Sequence, residues 1–214
     1  MISVVIPCHP PHADKLPRCI QSVATQTLKP SEIVVALSSA SSALADSVLA
    51  LSKEAAGTIP VVLTSVDSPA NAAQNRNRGM AVAQYPIISF FDADDTMRRQ
   101  RLERTASLLQ DNNADAVLHS YERDGTATDA GTNGRVWTPE EMAALEQRDR
   151  DHVHLSEIHV THGHITIRKE VGEKVKQNTT APAVRREDSI FVRDIFAQKM
   201  RVVYTEDVLS NYLS

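Results

Sequence analysis

The chain has 214 residues, of which 42% are hydrophobic and 23% are charged, and its formal net charge at pH 7 is −4. This composition is typical of a globular protein, and the net negative charge argues against binding to nucleic acid. No apolar run approaches the roughly 20 residues that span a bilayer, and the start lacks the basic segment of a signal peptide, so a cytoplasmic location is expected.

Apolar runs alternate with helix-like segments through the first half of the chain. The runs ISVVIP, EIVVAL, IPVVLTS and PIISFF have the composition of buried strands. Helices are expected from about Pro17, across residues 41–56 and across residues 68–84. This alternation predicts βαβ units and therefore an α/β fold with a largely parallel sheet.

The pattern changes in the second half. Residues 97–112 predict a helix with Leu102, Ala106 and Leu109 on one face, followed by a strand in ADAVLHSY. The polar residues 122–134 predict a loop, and Thr138 is expected to cap another helix. Further expected elements are strands within residues 156–173 that lead into a turn, a helix over residues 186–200 and a closing strand RVVYT.

The stretch SFFDADD places three carboxylates directly after a strand that is apolar on both faces. Neighbouring carboxylates repel one another unless a cation or several donors offset their charge. The carboxyl ends of strands border the ligand crevice of open α/β sheets, although a solvated turn is the simpler alternative. Clustered hard oxygen ligands favour Mg²⁺ or Mn²⁺, commonly shared with substrate phosphates. The absence of Walker-type and GxGxxG loops argues against a P-loop kinase or a dehydrogenase.

Four stretches, in this order, resemble the GT-A glycosyltransferases of family 2 that use nucleotide sugars. They are ISVVIPCHP, residues 16–35, NRNRGMAVAQYPIISFFDADD and REDSIFVRDIF. The resemblance implies a GT-A fold, with a mixed, mostly parallel sheet flanked by helices and a Rossmann-like first half. It also implies one domain over residues 1–214, in which residues 1–119 bind the nucleotide sugar and residues 120–214 bind the acceptor and carry catalysis.

The same resemblance assigns roles around the carboxylates. The DxD motif of the family falls on Asp92, Ala93 and Asp94. Asp94 would coordinate the Mn²⁺ or Mg²⁺ that bridges the donor diphosphate, and Asp92 would contact the donor ribose or the metal. Arg76 matches an arginine beside the nucleotide, where its fixed fork of donors suits base or ribose oxygens. Asp95 is left with two roles, holding a metal-bound water or capping the following helix.

The nucleotide-binding end departs from the family at two places. After the second predicted strand, Leu37, Ser38 and Ser39 replace an acidic pair that reads a pyrimidine, so Ser38 is the remaining candidate for a hydrogen bond to the base. Beside Pro7, the family's aromatic residue and asparagine are replaced by a sequence in which His9 can stack on a base or serve only as a loop residue. A UDP-sugar is the favoured donor, and a GDP-sugar is the other candidate.

A second carboxylate pair begins the helix predicted over residues 186–200. The resemblance makes Asp188 the general base of an inverting transfer, which accepts the proton of the attacking acceptor hydroxyl. Glu187 would bind an acceptor hydroxyl. The alternative is that both are helix-start charges that interact favourably with the helix dipole.

Three further side chains between the acidic clusters are candidate ligands. His162 and His164 would share one face of a strand, where they could complete the metal shell, with His164 as the expected metal ligand, or donate to the diphosphate, or be structural. Trp137 could form a platform for a sugar acceptor, with ordinary packing as the alternative. The resemblance implies that the acceptor is a hydroxyl of a glycan.

Two other functions compete with sugar transfer. A nucleotidyltransferase that makes sugar nucleotides uses a similar fold and metal, but should carry a glycine-rich basic loop near its start, which PCHPPHADK does not resemble. A catalytically inactive carbohydrate-binding domain is the third candidate. The presence of both Asp94 and Asp188 argues against it.

Overall fold

The computed structural model describes residues 1–123, 126–128, 136–137, 164–180 and 187–213. The helices in these ranges, after a short 3-10 turn at Pro10–His12, are α1 (Leu16–Ala24), α2 (Ser42–Ala56), α3 (Ala72–Val82), α4 (Arg101–Asp111), α5 (Lys169–Lys174) and α6 (Glu187–Ala197). The strands are β1 (Ile2–Cys8), β2 (Glu32–Leu37), β3 (Val61–Ser65), β4 (Ile87–Phe90), β5 (Thr96–Met97), β6 (Ala116–Arg123), β7 (Thr126–Thr128), β8 (Val136–Trp137), β9 (Thr166–Arg168) and β10 (Val202–Tyr212).

The described strands form one mixed sheet in the order β3-β2-β1-β4-β9-β6-β10-β5. The strands β3, β2, β1 and β4 run parallel, and β9 lies antiparallel between β4 and β6. Strand β10 is parallel to β6 and antiparallel to β5. The order of the first four strands reverses direction at β1, and ligands bind outside the carboxyl ends of strands at such a switch point.

Strand β1 is buried on both faces because its residues alternate between two hydrophobic cores. Val5 packs into a core that also contains Met80 of α3 and Phe191 of α6. Ile6 faces the opposite core, together with Ile20 of α1. The continuous apolar run ISVVIP therefore follows from burial on two sides, and the expected strand is confirmed.

Two predicted elements differ in the structure. Residues 169–174 form helix α5, where the sequence predicted strands that lead into a turn, because Val171 and Gly172 are buried and Gly172 lies against Met80 of α3. Strand β10 extends to Tyr212 instead of ending at Thr205. A register shift after Thr205 accommodates the extra residues and lets the pairing with β6 continue.

The alternative that Asp95 caps the following helix is wrong. Helix α4 begins at Arg101 with Gln100 as its N-cap, and β5 separates Asp95 from it. The expected loop over residues 122–134 is also corrected in part, because β6 continues through Arg123 and residues 126–128 form β7. The helix predicted after Thr138 and the strand residues before position 164 lie outside the described residues.

Both cysteines, Cys8 and Cys19, are buried free thiols. Among the described residues, no helix combines the length and apolar composition needed to cross a membrane.

Candidate functional site

A cavity of about 580 Å³ lies at the carboxyl ends of β1, β2 and β4. Its volume is within the range of small-molecule sites, roughly 300–1,000 Å³. One part of its lining comes from the end of β1 and the residues that follow β1 and β2, among them Pro7, His9, His12, Ser38 and Ser39. The acidic end is lined by Asp92, Asp94, Glu187 and Asp188, and Tyr212 also lines the cavity.

Arg76 of α3 joins the two acidic clusters that the sequence separates by more than 90 residues. Its guanidinium donates from Nη2 to Asp92 Oδ1 at 2.7 Å and from Nη1 to Asp188 Oδ1 at 2.9 Å. Glu187 Oε1 lies 3.7 Å from the same Nη1. Only 3% of the arginine side chain is exposed, so three carboxylates share one buried cation.

This arrangement shifts the pKa values of Arg76, Asp92 and Asp188. Burial lowers the pKa of Arg76, but the charges of Asp92 and Asp188 outweigh it, and the net shift is upward. Burial raises the pKa of Asp92, yet Arg76 and His164 hold it well below its usual range. Burial also raises the pKa of Asp188, to about 6, against the opposing charge of Arg76. Asp92 therefore stays ionised, whereas Asp188 is suited to accept a proton near neutral pH.

Asp95 and His164 form a buried group with Asp92. His164 Nε2 lies 3.0 Å from Asp95 Oδ2 and 3.5 Å from Asp92 Oδ2. The backbone N–H of Leu213 donates to Asp95 Oδ1 at 2.8 Å. Burial lowers the pKa of His164, but its hydrogen bonds to the two carboxylates outweigh this and raise it. The imidazole of His164 thus lies between the carboxylates of Asp92 and Asp95.

Asp94 points away from this group and borders the cavity. Its Oδ2 lies 3.6 Å from His12 Nε2, and Arg18 donates from Nη2 to its backbone carbonyl at 2.8 Å. Ala93, between the two acids of the motif, is buried in the core and offers no group to the cavity. Successive carboxylates therefore diverge, with Asp94 on the cavity side and Asp95 on the His164 side.

The donor set fits a divalent cation. Ligand atoms of Asp92, Asp95 and His164 all lie within 4.8 Å of one another. Asp92 and Asp94 also border the cavity, where a bound phosphate could complete the shell. Carboxylate oxygens suit Mg²⁺ and Mn²⁺. The residues present thus fit the expected metal ion. Asp92 belongs both to the buried group with Asp95 and His164 and to the pair with Asp94 at the cavity.

At the opposite end of the cavity, the hydroxyl of Ser38 is already engaged. It donates to the carbonyl of Ala70 at 3.3 Å and accepts from Asn75 Nδ2 at 3.1 Å. Asn75 Nδ2 also donates to the carbonyl of Cys8, and Arg78 donates to Asn75 Oδ1. The Ser38 hydroxyl can therefore only accept one further hydrogen bond from a nucleobase and has no free donor for it.

His9 and His12 form a ring pair at the same end. Their ring centroids are 4.2 Å apart, and both side chains line the cavity together with Pro7. Burial lowers the pKa of His9, and the neighbouring His12 lowers it further. A neutral imidazole at this position offers a flat ring and one donor to a nucleobase.

The structure thus brings together the expected residues Asp92, Asp94, Arg76, Glu187 and Asp188. The side chain of Trp137 and all of His162 lie outside the described residues. Sequence reasoning missed the contributions of His12 and Tyr212, and it left Asn75 without a role. No local motif marks these positions, and the pairing of distant strands and loops brings them to the cavity.

Comparison with known proteins gives a family and a partial relative. The model of the family described as glycosyl transferase family 2 matches residues 3–175. An uncharacterised glycosyltransferase of Nostoc sp. is 28% identical over 137 residues, which are 62% of this chain and 41% of that protein. The chain therefore spans about two fifths of the length of this curated relative.

Solved structures share the fold over nearly the whole chain. S. aureus TarS 1–349 in complex with UDP has a TM-score of 0.73 at 13% identity, covering 100% of this chain and 60% of that one. The same TarS fragment with UDP-GlcNAc has a TM-score of 0.74 at 14% identity, covering 100% and 58%. The mannosyltransferase PcManGT of Pyrobaculum calidifontis, in complex with GDP-Man and Mn²⁺, has a TM-score of 0.69 at 18% identity, covering 99% and 56%.

Proposed function

The chain belongs to glycosyl transferase family 2, and we propose that it transfers a sugar from a nucleoside diphosphate sugar to an acceptor hydroxyl in a metal-dependent reaction. The family match and the shared fold confirm the predicted GT-A fold and the transferase class. The observation that carries the proposal is the position of Arg76 between Asp92 and Asp188 in one cavity. The acid expected on the donor side, Asp92, and the acid expected on the acceptor side, Asp188, both contact the Arg76 guanidinium.

We assign the Pro- and His-lined end of the cavity to the nucleoside and the acidic end to the sugar and diphosphate. A UDP-sugar is favoured and a GDP-sugar is the second candidate, since structures that share the fold contain UDP, UDP-GlcNAc or GDP-Man. Because the Ser38 hydroxyl is engaged, His9 and backbone groups are left to contact the base. We expect weaker discrimination between bases than a fixed carboxylate would give.

Asp92 and Asp94 are the proposed ligands of Mn²⁺ or Mg²⁺, because both are acidic and both border the cavity. His164 and Asp95 lie behind Asp92 and fix its carboxylate. When bound, the ion stabilises the negative charge of the departing nucleoside diphosphate.

Asp188 is the proposed general base. As the acceptor oxygen attacks the anomeric carbon, its proton passes to the Asp188 carboxylate, and the bond from that carbon to the diphosphate oxygen breaks. Attack opposite the leaving group inverts the anomeric configuration. The adjacent Glu187 is assigned to an acceptor hydroxyl, and Trp137 remains a proposed acceptor platform. The acceptor itself is proposed to be a glycan hydroxyl.

The proposal keeps the division of labour expected from the sequence. Residues 1–119 provide the nucleoside end and the DxD acids, whereas residues 120–214 provide Asp188 and Glu187. A nucleotidyltransferase would not need a base on the acceptor side. An inactive carbohydrate-binding domain would not need one either, and the upward-shifted pKa of Asp188 favours a catalytic role for this acid.

The variants Asp188→Asn and Glu187→Gln test the assignment. Loss of a general base should lower turnover by about 10²- to 10⁴-fold, while the Kd for the nucleotide sugar stays near that of the wild type. Calorimetry with Mn²⁺ measures binding, and NMR of the product measures rate and anomeric configuration. Glu187→Gln is the matched control, because it alters the same helix start without removing the base. Full turnover by Asp188→Asn would exclude Asp188 as the base, and retained configuration would exclude inversion.

A further inference from the structure

Tyr212 lines the same cavity as Asp92, Asp94 and Asp188, and its hydroxyl is within electrostatic range of Asp92 and Asp95. It is the last residue of β10 and is partly exposed. None of the roles proposed above uses it. The acids around it can bind hydroxyl groups and a metal, and Tyr212 supplies the large aromatic ring that borders them.

Two residues of the neighbouring strand β6 contact the Tyr212 ring. Arg123 is the register partner of Tyr212 across the parallel strands β6 and β10. Its guanidinium carbon lies 4.2 Å from the centroid of the Tyr212 ring. The buried Tyr121 ring lies at 5.9 Å with a tilt of 54°. A cation–π contact of this kind orients an aromatic ring at an exposed position.

The residues on either side of Tyr212 are hydrogen-bonded to the segment that carries the acids. The N–H of Leu213 donates to Asp95 Oδ1 at 2.8 Å, and Asn211 donates from Nδ2 to Thr96 Oγ1 at 3.1 Å. Burial raises the pKa of the Tyr212 hydroxyl, and the negative charges of Asp92 and Asp95 add to this rise. The ring therefore has a fixed position relative to the carboxylates.

A pyranose presents an apolar face of C–H groups and a rim of hydroxyls. A site for it needs a flat aromatic surface together with a few convergent polar groups. Tyr212 provides such a surface, and the carboxylates beside it can accept hydroxyl hydrogens. We infer that Tyr212, backed by Arg123, contacts the sugar ring of the donor and contributes to the choice of sugar. The inference rests on the proposed function, since it names a contact within the same donor site.

The test compares a nucleotide with and without its sugar. UDP and UDP-GlcNAc, and GDP and GDP-Man, are titrated by calorimetry in Mn²⁺ into the wild type, Tyr212→Ala and Tyr212→Phe. For the nucleotide pair that binds, Tyr212→Ala should lower the affinity for the sugar nucleotide by about tenfold, which is the upper end of what an aromatic contact provides. The affinity for the free nucleotide should stay unchanged. Tyr212→Phe keeps the ring and should bind both like the wild type.

Other outcomes would overturn the assignment in distinguishable ways. Equal weakening of nucleotide and sugar nucleotide by Tyr212→Ala, in a variant whose thermal unfolding matches the wild type, would place the effect outside the sugar. Unchanged affinity for both would exclude a donor contact. Loss of sugar affinity in Tyr212→Phe would assign the effect to the hydroxyl and not to the ring. If the wild type binds none of the four compounds, the proposed function itself fails.

Arg123→Gln provides an independent variant away from the carboxylates. It removes the cation behind the ring but leaves the ring in place. A positioning role predicts a smaller sugar-specific loss than Tyr212→Ala gives, and no loss for the free nucleotide. Identical behaviour to the wild type would show that the stacked guanidinium does not position the ring.

Discussion

Asp94 and Asp95 are adjacent in the chain but face different surroundings. Asp94 borders the cavity, whereas Asp95 is buried against His164. We expect Asp94→Asn to abolish the gain in UDP or GDP affinity that Mn²⁺ provides, because an amide keeps the shape of the ligand but removes its charge. Calorimetry with and without Mn²⁺ measures the gain directly.

Asp95→Asn is the matched control for Asp94→Asn. The asparagine keeps the oxygen that accepts from the Leu213 N–H. Because Asp95 lies behind the proposed metal ligands, this substitution should lower metal affinity by about 10- to 100-fold without abolishing it. If Asp95→Asn removes the metal dependence while Asp94→Asn retains it, the ion lies in the buried group of Asp92, Asp95 and His164.

The raised pKa of Asp188 predicts a pH dependence of transfer. A general base must be ionised to accept a proton, and burial raises the pKa of Asp188 to about 6. We expect kcat/KM to fall about tenfold per pH unit well below pH 6 and to level off above it, because kcat/KM reports ionisation in the free enzyme. Initial rates from pH 4.5 to 8 at fixed ionic strength measure the profile. A profile without an acid limb in that range would contradict the assignment.

Among the elements, α3 owes its position to Gly79. A Cβ at this residue would lie 2.4 Å from Val5 Cγ1 of β1. Gly79→Ala should therefore lower the free energy of unfolding by about 1–3 kcal/mol through overpacking, although alanine is otherwise the better helix former. Urea denaturation followed by circular dichroism measures the change in the free energy of unfolding. Because Arg76 lies on the same helix, a displaced α3 should also lower the affinity for the donor.

Gly172→Ala in α5 is the comparison for Gly79→Ala, because it adds the same methyl group beside a more flexible neighbour. Its added Cβ would meet the flexible Met80 side chain, with Sδ at 2.4 Å, in place of a β-branched strand residue. We expect a smaller loss of stability than for Gly79→Ala. A stability gain in Gly79→Ala would show that α3 can shift away from β1 at little cost.

The elements of the first half could be predicted from sequence because each has a local cause. Strands such as β1 are continuously apolar since both faces are buried, and α4 shows its buried face in Leu102 and Leu109. Helix α5 and the long β10 depend instead on contacts with distant residues, which no local pattern records. The prediction that residues 156–173 form strands leading into a turn missed helix α5 for that reason.

In the candidate site too, residues marked by a local sequence pattern could be predicted, and those that depend on distant contacts could not. The carboxylate cluster after β4 and the family resemblance together predicted Asp92, Asp94 and Asp188 as site residues, and all three line one cavity in the structure. The pairing of Tyr212 with Arg123 across β10 and β6 has no sequence signature. The engagement of the Ser38 hydroxyl likewise depends on its three-dimensional neighbours.

Over the whole molecule, the cavity combines several carboxylates with few cations, and this composition predicts synergy between metal and nucleotide. A diphosphate alone would meet the negative charge of Asp92 and Asp94, and Mn²⁺ would offset it. At about 100 times the Kd, the ligand pair should stabilise the folded chain by about 2.7 kcal/mol. Differential scanning calorimetry with UDP or GDP alone, Mn²⁺ alone and both together measures the effect.

We expect either ligand alone to raise the Tm much less than the pair does. The Asp94→Asn variant is the control, and in it the pair should act no better than the nucleotide alone. Equal stabilisation by the nucleotide with or without Mn²⁺ would contradict a charge-based role for the ion.

The guanidinium of Arg76, which contacts both Asp92 and Asp188, predicts that donor binding and acceptor binding are coupled. A cation that engages Asp92 competes with Arg76 for the same carboxylate and leaves the arginine more fully to Asp188 and Glu187. The field at the base then depends on whether the donor side is occupied. Because such coupling is reciprocal, an acceptor that engages Asp188 must change donor affinity by the same factor by which the donor changes acceptor affinity. We therefore expect one side chain to couple the binding of donor and acceptor.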